Sequence, residues 1–200
     1  MPNQTDLRVE TLTGAAIVPY LPDLAALRTE VFFEWPYLYV GSRSYESEYL
    51  RGLGRAERAA VIAAFAGDKV VGMATCLPLS DEPDNVQQPF LDHGLNPRDY
   101  FYFGESVLRK EYRGRGVGVA FFAAREAQAR KFGDYKFAAF CAVQRPDDHP
   151  LKPTDFVPLD AFWGKRGYTK QPHLTCQMSW LDRGETEKTF KPLTFWTKAL

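Results

Sequence analysis

Residues 113–118 read Arg-Gly-Arg-Gly-Val-Gly and run directly into the apolar stretch VAFFAA. Glycines leave backbone N–H groups open to approach, the first amides of a helix lack intrahelical partners, and the helix dipole is positive at that end. Arg113 and Arg115 add full charges. Such a turn can hold an anion, phosphate foremost. Just upstream, Glu105 is the only acidic residue between Tyr100 and Lys110. On strand alternation it lies among Phe101, Phe103 and Val107, an apolar wall that favours a proton-accepting carboxylate.

Neither common nucleotide loop fits. No Lys-Ser/Thr follows as GxxxxGKS requires, and Gly114, Gly116 and Gly118 give GxGxG without the later glycine of GxGxxG. Two plainer alternatives stay open: glycines that only serve a tight turn, and the Arg-Gly run of an RNA-binding tail, which the helix pattern that follows disfavours.

The elements that position these groups are legible as periodicities. LRVETL (7–12) alternates as a strand, and residues 17–35 recur at helical spacing through Leu24, Leu27, Val31 and Glu34. SYESEYLRGLG predicts a short helix stopped by glycine. RAAVIAAFAGDKVVGMATCLPL predicts two antiparallel strands turning at Gly67-Asp68. DYFYFGESVLRK is a fourth strand. From Arg115 to Phe132, Val117, Ala120, Phe121, Ala124 and Ala127 form a helical stripe, with Arg125 and Glu126 off it. YKFAAFCAV is a fifth strand, VPLDAFWGKRG a short helix, and HLTCQMSWL with PLTFWTKAL a closing hairpin. Residues 80–99 and 145–158, dense in Pro, Asp and Asn, read as long loops.

Composition limits the function classes. A 200-residue chain with 45% apolar residues predicts one domain over residues 1–200 with a normal core. Twenty-five basic residues against 25 acidic ones leave no global field for nucleic acid or an anionic membrane. MPNQTDLRVE lacks the blocks of a signal peptide, and the longest apolar run, AAVIAAFA at 59–66, is too short to span a bilayer, which predicts a cytoplasmic protein. Cys76, Cys141 and Cys176 are widely spaced without a CxxC and are expected as buried, reduced thiols with no metal site.

With its flanks, Arg113-Gly114-Arg115-Gly116-Val117-Gly118 resembles the acyl-CoA-binding motif of the GNAT superfamily of N-acetyltransferases: Arg or Gln, two residues, Gly, one residue, then Gly or Ala. AFWGKRGY at 161–168 resembles that family's second motif, and the order of elements agrees along almost the whole chain. The resemblance implies an α/β fold of the α+β type, with a mixed, mostly antiparallel sheet of six to seven strands, splayed between strands 4 and 5 and flanked by helices.

It also implies roles. The amides of Arg113 to Gly118 would bind the pyrophosphate of coenzyme A, with acetyl-CoA as co-substrate and no metal. Val107, Leu108 and Arg109 would lie along the pantetheine as a neighbouring strand does. The Leu108 N–H would stabilise the oxyanion, worth roughly 3 kcal/mol. Trp163 stands where the family carries a tyrosine acid and would pack on the cofactor or the core. A thiolate of pKa ~8.5 leaves tolerably well unaided. The family's asparagine near the end of the fifth strand is absent.

An amine attacks a thioester only when neutral, so a proton must be removed from an ammonium of pKa ~10. Glu105 is the candidate base or substrate anchor; structurally, it could instead pair with an arginine such as Arg109 or Arg145. Substrate selection is expected from Glu34, Trp35, Tyr37 and Tyr39, aromatics plus one carboxylate that suit an amine bearing apolar groups, although each aromatic could simply pack on the sheet. Cys141 is a weaker candidate nucleophile, with no His beside it in sequence, and His149 and His173 read as ordinary loop histidines. The expected activity is direct acetyl transfer to a primary amine of a small molecule or peptide; the rivals are a non-catalytic acyl-CoA sensor and a nucleotide-binding module. The tail PLTFWTKAL would either pair between two subunits of a homodimer or close the sheet within one chain.

Overall fold

The computed structural model describes residues 7–200; residues 1–6, on which part of the leader argument rests, lie outside them. Seven strands form one sheet in the order β1-β2-β3-β4-β5-β7-β6. They are β1 (Leu7–Leu12), β2 (Ala60–Ala66), β3 (Lys69–Pro78), β4 (Tyr100–Leu108), β5 (Phe137–Val143), β6 (Thr169–Leu181) and β7 (Lys188–Ala199). The helices are α1 (Leu21–Phe32), α2 (Arg43–Arg55), α3 (Asp84–Asp92), α4 (Val117–Phe132) and α5 (Asp160–Gly164). Every neighbouring pair is antiparallel except β4 and β5. Those two are parallel and pair only from Tyr100 to Tyr102 against Phe137 to Ala139. Beyond Tyr102 they part, so the expected splay is present.

Both faces of the sheet are covered. Leu24 and Leu27 of α1, Leu50 and Leu53 of α2, and Val86 and Phe90 of α3 pack on one face with Val61, Ala63 and Phe65. Val117, Phe121, Phe122 and Ala129 of α4 pack on the other with Ala60, Ile62 and Ala64. A strand buried on both sides reads as an unbroken apolar run, which is why AAVIAAFA is so long.

Several expectations need correction. The stretch 17–35 is not one helix: residues Gly14–Tyr20 form a 3-10 turn, and Pro22, near the start of α1, begins a helix more readily than it continues one. Helix α2 runs through Gly52 and Gly54 to Arg55, because Leu50 and Leu53 bury its apolar side against the sheet. Residues 80–99 are not all loop, since α3 sits within them. On α4 Arg125 and Glu126 are buried while Ala127 is exposed, the reverse of the expected stripe. The Arg125 guanidinium lies 4.5 Å from the Phe103 ring centroid and 4.8 Å from that of Phe122, an apolar sandwich suited to a flat cation. The tail strand β7 is paired on both sides, by β5 and β6, and so closes the sheet within the chain.

Candidate active site

The cleft between β4 and β5 is bounded at one end by the turn leading into α4. Gly114 (φ +78°) and Gly116 (φ +83°) both adopt the left-handed conformation, which a side chain at either position would strain. Among the described residues, none of the amides from Gly114 to Val119 has a backbone hydrogen-bond partner. Six adjacent donors are therefore left without a backbone partner at the positive end of a 16-residue helix. Gly118 serves packing instead: a Cβ there would come within 3.2 Å of the Phe162 ring, so its bareness lets α5 dock on α4.

The register of β4 decides which backbone groups the cleft receives. Leu108 pairs with Gly72 and Val107 with Met73, and the Arg109 N–H donates to Val71 O at 3.0 Å. By antiparallel alternation Val107 and Arg109 direct their backbone groups at β3, whereas Leu108 and Ser106 direct theirs at the cleft. Of the three residues expected along a pantetheine, only Leu108 offers both N–H and C=O there. Ser106, not expected, offers a second set. The Arg109 side chain makes a forked ion pair with Glu30, with Nη2 3.0 Å from Oε2. Arg113 Nε donates to Leu108 O at 3.0 Å and Nη2 to Glu34 Oε2 at 2.8 Å; the Arg115 guanidinium stacks 5.5 Å from the Tyr112 ring. Trp163 packs edge-on against Phe140 and Trp196, both at 5.1 Å, on the α4 face of the sheet.

Glu105 does not face the apolar wall expected of it. The pairing of β3 and β4 shifts by one residue, with Gly104 and Glu105 opposing Thr75 alone, and this bulge reverses the strand's alternation. Phe101 and Phe103 face α4; Glu105 faces α1 and α2. A Cβ on Gly104 would lie 2.4 Å from Thr75 Oγ1, so the bulge demands glycine, and that hydroxyl accepts the Glu105 N–H at 3.2 Å. The Glu105 carboxylate is ion-paired with Arg28, not Arg109 or Arg145, and takes the Tyr49 hydroxyl at 3.2 Å. Arg28 also donates to Glu46 Oε2 at 2.5 Å and stacks 4.3 Å from the Tyr49 ring. Glu46 is wholly buried, and its Oε1 has no hydrogen-bond partner among the described residues. Two buried carboxylates thus share one guanidinium. Burial pushes the Tyr49 hydroxyl up to about 12, which keeps it a donor.

The segment expected to select substrate is tied down rather than open. Arg145, on the long loop after β5, donates to Pro36 O at 2.8 Å, to Tyr37 O at 2.6 Å and to both oxygens of Asp182. Tyr37 packs on Phe32 and Trp180, and Trp35 on His149 and Phe156. The Tyr39 ring lies 6.2 Å from Phe32, and burial followed by the Glu46 charge drives its hydroxyl up. Glu34 is held by Arg113. Cys76, Cys141 and Cys176 are all buried and free. Cys141 lies 3.0 Å from the Tyr102 hydroxyl, and its contact with Cys176, together with burial, holds its thiol well above the usual range, which opposes a nucleophilic thiolate. Among the described residues no helix is long and apolar enough to cross a membrane.

A sequence profile described as acetyltransferase (GNAT) family matches residues 24–151. No protein of curated function matches the chain. Among solved structures, the ribosomal-protein-alanine N-acetyltransferase of Brucella melitensis superposes with a TM-score of 0.64 at 16% identity, over 96% of this chain and 99% of that one. A GNAT-family acetyltransferase of Streptococcus pneumoniae gives 0.60 at 12% identity, over 98% and 100%. The PaiA N-acetyltransferase of Thermoplasma acidophilum, in complex with coenzyme A, gives 0.54 at 12% identity, over 98% and 99%. At these identities the likeness is one of fold.

Proposed function

The chain belongs to the GNAT acetyltransferase family, and from that premise we propose that it transfers an acetyl group from acetyl-CoA directly to a primary amine. The observation that carries this is the row of six unpaired amides from Gly114 to Val119, set at the end of a cleft into which Leu108 and Ser106 turn their backbone groups. The residues present fit the coenzyme. The row of amides suits a pyrophosphate, and Arg113, once released from Glu34, and Arg115 would add charge. The Leu108 C=O and N–H suit an amide-bearing chain laid beside β4, and an N–H aimed at a thioester oxygen contributes roughly 3 kcal/mol to transfer.

Charge divides the site in a way that suits both substrates. Lys110, Arg113 and Arg115 lie in or next to the anion turn in sequence, whereas the α1–α2 side of β4 holds Glu46 and Glu105 against Arg28. An anionic cofactor suits the first side and a protonated amine the second. Direct transfer is favoured over an acyl-enzyme because Cys141 is buried and held as a thiol. The three unpaired cysteines accord with a reducing, cytoplasmic setting.

The test is release of free coenzyme A thiol from acetyl-CoA in a panel of small-molecule and peptide amines. Amine-dependent release supports the reading. Saturable acetyl-CoA binding without turnover on any amine would instead support an acyl-CoA sensor.

A further inference from the structure

The geometry points to Glu82 as the catalytic carboxylate that seats the acceptor ammonium and takes its proton, in the cavity between α2 and the turn that follows β3. This inference rests on the acetyl-transfer reading above and assigns it a base.

Most carboxylates near the cleft are already committed. Glu30 is held by Arg109, Glu34 by Arg113, Glu46 and Glu105 by Arg28, and Asp182 by Arg145 and Lys191. Each would have to give up an ion pair before it could accept a proton. Glu82 has no cationic partner and no side-chain hydrogen bond among the described residues; only its backbone is engaged, the N–H by Leu79 O at 3.2 Å and the carbonyl by Gln87 Nε2 at 2.5 Å.

Glu82 lines a cavity of about 210 Å³ together with Tyr49, Leu53, Leu77 and Asp81, and no lysine or arginine lines it. A largely apolar lining that includes two carboxylates suits a cation carrying a short apolar part. Two of the cavity's own walls lead toward the cleft. Tyr49 donates its hydroxyl to Glu105 on the β4 bulge at 3.2 Å. Leu77 is paired with Tyr102, the last β4 residue that β5 still holds, so the cavity lies at the closed end of the splay.

The titratable groups whose charges are felt at Glu82, or that feel its charge, are Asp81 on its own turn, Tyr49 on α2, Tyr102 on β4 and Cys141 on β5. Burial first, and then the Asp81 charge, push its carboxyl up to about 7. The tyrosines and the cysteine, all pushed upward, stay neutral through that range. A base that titrates near the working pH combines a large ionised fraction with useful basicity.

The step balances without a further reactant. The ammonium gives one proton to the Glu82 carboxylate, and the freed nitrogen pair forms the C–N bond as the thioester C–S bond breaks. The second amine proton passes to the departing sulfur, and Glu82 returns its own to solvent.

The experiment follows the Glu82 carboxyl by ¹³C NMR in glutamate-labelled protein, assigned by its loss in Glu82→Gln, with coenzyme A present as an unreactive partner. Tyramine, spermidine and alanine methyl ester serve as ammonium probes. The expected midpoint is near 7, and a bound ammonium lowers it by about one unit. With an amine that turns over, E82Q should lower kcat/KM by about 10²-fold and abolish the limb near neutrality, while acetyl-CoA affinity stays within about twofold. A merely structural residue would instead depress coenzyme binding and thermal stability together. A midpoint in the ordinary carboxylate range, one that none of the three probes moves, or an E82Q enzyme that keeps the limb overturns the inference. Failure of wild-type protein to bind acetyl-CoA would sink the acetyl-transfer reading itself.

Discussion

Arg113 is shared between Glu34 and the cleft: Nη2 lies 2.8 Å from Glu34 Oε2 while Nε donates to Leu108 O at 3.0 Å. The arginine at the head of the anion turn therefore occupies the carbonyl that the proposed cofactor chain would use, and an acidic residue after α1 holds it there. Cofactor entry has to release it.

Removing the hold should help the cofactor. An exposed pair of this kind is worth about 0.2–1 kcal/mol, so Glu34→Gln should tighten acetyl-CoA by up to about fivefold in calorimetric titration, whereas Arg113→Ala should weaken it. Weaker binding in Glu34→Gln would mean that Glu34 itself supports the cofactor.

Arg28 is predicted to be the most sensitive position outside the apolar core. Arg28→Met leaves Glu46 and Glu105 buried together without a cation, and breaking a buried pair in this way costs about 3–5 kcal/mol. Urea denaturation should show that loss, and adding Glu46→Gln and Glu105→Gln should recover much of it. Equal stability of the single and triple variants would contradict the shared-guanidinium description.

Glu82 makes a pH-dependent contribution of definite sign. Its folded-state pKa, near 7, lies above the unfolded value of ~4.3. The protonated form is therefore the favoured one in the fold, and stability is lost as pH rises between those values. Glu82→Gln removes this loss, so its melting temperature relative to wild type should be higher at pH 8 than at pH 5. A difference independent of pH would show that Glu82 titrates as an ordinary surface carboxylate.

Turns and apolar runs announced most of the fold. Gly67-Asp68 marked the β2–β3 hairpin, AAVIAAFA a strand covered on both faces, and the glycines before Val117 the start of α4. Helix α3 was hidden because its buried face is only Val86, Pro89 and Phe90 within a stretch rich in turn formers. The orientation of Glu105 could not be read from alternation, because one bulged residue at Gly104-Glu105 reverses it. Its partners did leave a trace: Arg28 falls one turn after Leu24 on the apolar stripe of α1, and Glu46 one turn before Leu50 on that of α2. A charge at a stripe position is a buried charge in need of a partner. Arg125 follows another logic, satisfied by two phenylalanine rings that only the folded sheet brings around it.

In the proposed complex the amides before α4 hold the pyrophosphate of acetyl-CoA. An ¹⁵N–¹H correlation titration of uniformly labelled protein with acetyl-CoA, with ATP as a control, reads those amides directly. Saturable shifts are expected at Gly114 to Val119 and at Leu108 and Ser106, with ATP unable to reproduce the shifts on β4. Saturation elsewhere with Gly114 to Val119 unmoved, or no binding at all, would contradict that placement of the pyrophosphate.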